Sequence, residues 1–174
     1  MSMTTPDTDE TIRNRVAESA LVTIDLDDLY TPGPRLTYDL AQHLYEGLIL
    51  REKDIRAQLA EADLTPYLHA HVAITCTADA VVPQWAYMLV AVALAPVAST
   101  VIQGSAEDLE RALVQMRVAA LDDSPWHNKP VVIRGCSRYP VHPSAYVLLT
   151  ARLRSVARRI MYGEACSTVP VWKG

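Results

Sequence analysis

Apolar and polar residues alternate with period two over Val22-Thr23-Ile24-Asp25-Leu26-Asp27 and again over Leu36-Thr37-Tyr38-Asp39-Leu40. That alternation marks half-buried strands. Thr31-Pro32-Gly33-Pro34 lies between them, where Pro presets φ and Gly adopts angles other residues avoid, so a β-hairpin is predicted over residues 21–40. From Ala41 to Ala62 the apolar spacing turns helical through Leu44, Leu48, Ile55 and Leu59, with Gly47 dividing the segment and Pro66 closing it.

Further along, short apolar runs take over. His71 to Cys76, Thr100 to Gln103 and Pro130 to Arg134 read as strands. Pro83 to Ala95 reads as an apolar helix, and Ser105-Ala106-Glu107-Asp108 as a capping-box start to a helix reaching about Leu121. Pro143 to Tyr162 reads as one long helix stopped by Gly163. Strands separated by such helices imply right-handed parallel crossovers, and runs such as VAI and VVI suit strands covered on both faces. The expected fold is α/β: one layered sheet with a parallel βαβαβ core, an N-terminal antiparallel β-hairpin, and helices on the faces. Residues 1–11, polar and acidic, are expected to be a disordered segment before a single domain over 12–174 with a cysteine-containing tail.

The chain also echoes itself. Cys76-Thr77 is followed by Pro83 and then Ala86-Tyr87; Cys136-Ser137 is followed by Pro143 and then Ala145-Tyr146. The two cysteines occupy matched positions in this reading, each after a strand.

Composition narrows the classes. The 174 residues are 50% hydrophobic and 21% charged, which excludes a disordered chain. Net charge is −4, with 13 acidic and 6 basic groups in residues 1–63 against 7 acidic and 10 basic in 64–174. Arg152, Arg154, Arg158 and Arg159 cluster, yet an acidic chain without a basic stripe is not a nucleic-acid binder. No charge occurs between Asp79 and Glu107, but Pro83, Pro96 and several polar residues interrupt that stretch, so no membrane span is expected. Three cysteines and a polar start suit a soluble protein of the reducing cytoplasm.

The candidate chemistry is the cysteines. Ligands bind beyond the carboxyl ends of parallel strands, which is where Cys76 and Cys136 are expected. Each cysteine, Cys166 included, precedes a Ser or Thr able to donate a hydrogen bond to sulfur. Three thiolates with Asp79, Glu164 or a histidine as a fourth ligand suit zinc or an iron–sulfur cluster, although no CxxC is present. A free cysteine equally suits a small core position. A 20-residue helix from Pro143 spans about 30 Å and would leave Cys166 at the opposite sheet edge, to be reunited only by a helix break or a homodimer. His69 and His71 share a strand face and His142 lies beside the Cys136 loop, but none has an evident partner.

The strings ESALVTIDLDDLY, EGLILREKDIR, TCTADAVVPQWAYMLVAVALAP, VVIRGCS and IMYGEACSTVP resemble the domain-of-unknown-function 2480 family of Bacteroidota. Cys76, Asp79, Pro83, Trp85, Tyr87, Cys136, Glu164 and Cys166 fall on its recurring positions; His142 does not. The resemblance implies an accessory role beside the sulfur-mobilisation (SUF) machinery of iron–sulfur cluster assembly and supplies no catalytic residue. The expectation is a homodimeric protein holding an iron–sulfur cluster or zinc through Cys76, Cys136 and Cys166, with Asp79 and Glu164 as ligands or supporting acceptors, and with iron–sulfur assembly proteins as partners. Two alternatives stand beside it: a thiol-dependent enzyme with Cys76 or Cys136 as nucleophile, and a non-catalytic interaction module with structural cysteines.

Overall fold

The computed structural model describes residues 21–135, 138–164 and 167–174. The chain is α/β, as the pattern predicts, but its strands divide between two main sheets. The larger joins β1 (Val22–Asp25), β7 (Pro130–Arg134), β8 (Arg159–Glu164) and β9 (Ser167–Lys173) in that order; the first three are parallel and β9 is antiparallel. The smaller joins β2 (Arg35–Asp39), β5 (His71–Thr75) and β6 (Thr100–Gln103), all parallel. β3 (Leu44–Tyr45) and β4 (Ile49–Leu50) form a small antiparallel pair. The helices are α1 (Glu52–Glu61), α2 (Gln84–Leu94), α3 (Ala106–Ala119) and α4 (Ser144–Leu153).

The predicted hairpin over 21–40 does not form. Gly33 does turn the chain, at φ +129°, but β1 and β2 join different sheets. The Asp25 carboxylate accepts the Asp27 N–H and starts a 3-10 turn over Leu26–Leu29, ending the strand early. Each short strand then pairs with an apolar parallel neighbour, β7 or β5, that buries it better than its sister would.

The helical reading of 41–62 holds only from Glu52. Before it, Glu46 and Gly47 both take positive φ (51° and 72°), which makes the tight turn of the β3–β4 hairpin. The predicted long helix from Pro143 to Tyr162 is also corrected. α4 ends at Leu153, where the Val156 and Ala157 N–H groups fold back onto the Leu153 carbonyl, and the chain returns as β8 beside β7. The tail then closes the sheet edge as β9, with Pro170 opposite the register shift between Ile160 and Met161. An edge strand is where a residue without N–H is tolerated.

The echo is a structural duplication, at an offset of 59 residues. Both units hold a 3-10 turn (Thr65–Tyr67, Ser124–Trp126), a left-handed residue (His69 φ 58°, Asn128 φ 55°), a strand, a helix, a strand, and a positive-φ glycine (Gly104, Gly163). His69 N–H donates to the Val97 carbonyl as Asn128 N–H donates to Val156. Asp25 and Asp39, the last residues of β1 and β2, each accept an N–H two residues on and pair in register with Arg134 and Thr75, themselves 59 apart. This register matches Cys76 to Gly135 and Thr77 to Cys136, so the cysteines are one position out of step.

Each unit has its own core. Leu40, Ile55, Val72, Ile74, Val90 and Leu94 pack in one; Ile24, Val131, Ile133, Leu149, Leu153 and Ile160 pack in the other. α3 joins them. Leu109 and Leu113 lie on Ala73 and Ile102, on the sheet face away from α2, while Val114 and Val118 belong to the core of the larger sheet. The α3 start carries the expected capping box: Ser105 accepts the Asp108 N–H and Asp108 accepts the Ser105 N–H.

Candidate functional site

At the carboxyl end of the larger sheet, the described groups are anchored by two aspartates. The Asp25 carboxylate takes both Nε (3.0 Å) and Nη2 of Arg134, which pairs with it across β1 and β7. That hydrogen bond is the main reason the Asp25 carboxyl lies below the usual carboxylate range, against an opposing push from burial. Asp27 accepts the Arg138 N–H at 2.8 Å and its Nε at 3.2 Å, and Tyr139 stacks on Tyr30 at 4.4 Å. The connection after β7 is thereby held down at its described end.

Gly135 follows β7 where a larger residue would have to push two tyrosine rings aside. A Cβ there would overlap the Tyr146 hydroxyl and lie 3.2 Å from that of Tyr162. The two rings meet edge to face, with centroids 5.6 Å apart. They close one end of an apolar groove of about 690 Å³ between α4 and β9, lined also by Ile133, Val147, Thr150 and Val169. Val147 and Val169 are 72% and 62% exposed, so the groove opens to solvent.

The smaller sheet has the matching edge. Asp39 accepts the Thr77 N–H (3.0 Å) and hydroxyl (2.5 Å). Burial pushes the Asp39 carboxyl up, but the Thr77 hydroxyl and the N–H groups of Ala41 and Thr77 outweigh it and hold it below the usual range. Cys76 is half-buried, its thiol donating to the Ala78 carbonyl at 3.7 Å. Burial, and then the neighbouring Cys76, push the Tyr87 hydroxyl up. The Thr77 hydroxyl is therefore spent on Asp39; the expected hydrogen bond from this Thr to its cysteine is not made.

The predicted ligands divide between the units. Cys76 follows the end of β5, and the exposed Asp79 comes after it, both at the smaller sheet. Glu164, exposed, ends β8 in the larger sheet. Cys136 and Cys166 lie outside the described residues, and the expectation that they join Cys76 falls there with them. Among the described residues no three His, Cys, Asp or Glu side chains are grouped to hold a metal ion. β7 and β8 are parallel neighbours with Ile133 opposite Tyr162, so Gly135 and Glu164, the described residues nearest in sequence before Cys136 and Cys166, end side by side. The objection that a long helix carries Cys166 to the far edge disappears with that helix.

His71 and His142 are both held by hydrogen bonds. His71 is buried, with Nε2 donating to the Pro32 carbonyl at 3.0 Å and Nδ1 facing the Thr100 hydroxyl at 3.1 Å, so it has no free nitrogen to share with His69. His142 Nδ1 accepts the Ser144 N–H, turning Nε2 toward Glu107 at 3.5 Å. The Asp25–Arg134 and Asp39–Thr77 anchors went unread in the sequence. Their signal was the repeated string of Thr, apolar residue, Asp and Leu at 23–26 and 37–40.

The class these features define is a duplicated α/β protein, two β-(βαβ) units with a polar anchor at each carboxyl edge and a bridging helix between them. A family model described as a protein of unknown function (DUF2480) matches residues 10–174, nearly the whole chain. The protein belongs to that family. No curated protein and no solved structure matches it. Among the described residues no helix is long and apolar enough to cross a membrane.

Proposed function

We propose that this protein is a cytoplasmic accessory protein of iron–sulfur cluster assembly that binds a cluster or zinc through the thiolates of Cys136 and Cys166, with Glu164 as a further ligand. One observation supports the reading: Gly135, just after β7, and Glu164, the last residue of β8, stand side by side at the carboxyl end of two parallel strands, where ligands bind in such sheets. Two thiolates and a carboxylate are donors that zinc and iron–sulfur clusters accept, with a thiol of an assembly partner able to complete the set. Cys76 and Asp79 hold the corresponding edge of the twin unit and form a separate thiol site in this reading.

The test is anaerobic purification of the full chain, elemental analysis and an absorption spectrum. Near-stoichiometric iron with visible sulfide-to-iron bands, or zinc, is expected. A Cys136→Ser, Cys166→Ser double variant loses the metal and Cys76→Ser retains it. A protein that neither carries nor takes up iron or zinc overturns the proposal.

A second reading has one observation in its favour, the apolar groove of about 690 Å³ lined by Tyr146 and Tyr162, the two rings that meet Gly135. It would seat an apolar substrate for a thiol enzyme with Cys136 as nucleophile. Alkylation rate against pH separates the two, since a nucleophilic thiol titrates well below the free value of about 8.5.

A further inference from the structure

The two units differ at one edge. In the larger sheet, β9 covers β8, so that Ile160 and Met161 are 0% and 8% exposed. In the smaller sheet the matching strand, β6, has β5 on one side and, among the described residues, no strand on the other. Its Val101 and Ile102, the counterparts of Ile160 and Met161, are left part-exposed. The N–H groups of Thr100 and Gly104 are taken by the carbonyls of Ala70 and Ile74. By the alternation of a strand, Val101 and Gln103 therefore aim their N–H and C=O groups outward.

Open edges are ordinarily guarded by charge, proline or a bulge, and Thr-Val-Ile-Gln has none of these. The α2 side of the edge is equally unguarded, while Asp108 of α3 lies against Gly104 just past the strand. Residues 80–106 contain no Asp, Glu, Lys, Arg or His. At the positions matching Arg152, Arg154, Arg158 and Arg159 this unit has Ala93, Ala95, Ser99 and Thr100. Beside the edge a groove of about 220 Å³ runs between α2 and β6, lined by Tyr87, Met88, Ala91, Val101 and others, with Met88 66% exposed. In the twin unit the corresponding groove is walled by β9.

We propose that the open edge of β6 and the uncharged face of α2 form a twofold interface between two copies of this chain. β6 pairs antiparallel with its own copy, giving a continuous six-stranded sheet. The twin unit shows the kind of cover this edge takes, an antiparallel strand. The absence of charge selects a second copy as its source, because a twofold axis sets each side chain near its own duplicate and any charge would face itself. An axis perpendicular to the sheet keeps both α2 helices on one face, so the two Met88 grooves adjoin and close each other. The interface lies on the smaller sheet rather than at the carboxyl edge of the larger one, and it does not depend on the metal reading.

Sedimentation of the full chain from about 1 nM to 100 µM, with a fluorescent label at the low end, tests this, because ordinary protein–protein affinities run from nM to µM. The expected mass is twice the 19.2 kDa of the chain. Gln103→Pro puts a ring where an outward N–H was and removes no bond to β5; Met88→Glu places like charges across the axis. Each weakens the dimer by about tenfold or more, while the far-UV circular dichroism spectrum stays that of the wild type. Should Gln103→Pro fail to fold, the exposed Met88 substitution decides alone. A wild-type monomer across the range, or a dimer that a folded Met88→Glu variant leaves unchanged, overturns the proposal. So does a monomer whose edge takes up a foreign strand instead.

Discussion

Leu94 and Leu153 hold the same place in the two units, 59 residues apart, each 0% exposed and each in a different core. Truncating either to Ala removes three carbons from a packed interior. At about 0.8 kcal/mol per methylene the transfer loss is about 2.4 kcal/mol. The cavity left behind raises it into a range of about 2.7–5.0 kcal/mol, since helix and sheet backbones on both sides resist collapse. Against a total stability of about 5–15 kcal/mol this is a large share, and at about 2–4 °C per kcal/mol it lowers the melting temperature by roughly 5–20 °C. Both variants should fall in that range, and the difference between them reports how far each site can collapse. Because α3 lends Leu109 and Leu113 to one side and Val114 and Val118 to the other, each variant should unfold in one step. The assay is urea denaturation followed by far-UV circular dichroism and by tryptophan fluorescence, Trp85 reporting on one core and Trp126 and Trp172 on the other. Non-coincident curves would show that α3 does not couple the units. A loss below about 1 kcal/mol in either variant would refute the packing argument itself.

Two further outcomes follow from the polar groups. Asp39 has its folded pKa lowered below 3.8, so its contribution is present above that value and is lost as pH falls through the folded pKa. The stability gap between wild type and Asp39→Asn should therefore narrow as the pH falls below 3.8, and a gap that does not change with pH would contradict the Thr77 clamp. Tyr38, whose hydroxyl burial pushes up to about 12, with Tyr67 adding to it, stays a donor across the neutral range; it meets buried His43 Nε2 at 2.7 Å while Nδ1 meets Gln58 Oε1. Tyr38→Phe strands that nitrogen and should cost about 1–3 kcal/mol in urea denaturation, with a cost under about 0.5 kcal/mol counting against the network.

Much of this molecule was legible along the chain. The capping box at Ser105, the strand over Thr100–Gln103, the apolar helix after Pro83 and the α/β class all follow from local signals: a side chain that satisfies an orphan N–H, a β-branched run, a period of 3.6. The duplication was half-visible, since the Pro, Ala and Tyr of each copy stand out; its register was not, because the eye aligns cysteines whereas the fold aligns Val72 with Val131 and Gly104 with Gly163. Partner choice was beyond local reading. Period-two alternation says that Val22–Asp25 and Arg35–Asp39 are strands, but which strand lies beside each depends on the apolar area buried by distant partners. The same competition ends α4 at Leu153: helix propensity runs on through the arginines, while β7 offers Ile160 and Met161 a burial that an exposed helix turn cannot match. That return is what sets Glu164 beside Gly135 and gives the proposed cysteine site its edge. Local physics determined the elements; long-range burial decided their neighbours, and with them which candidate groups share a sheet.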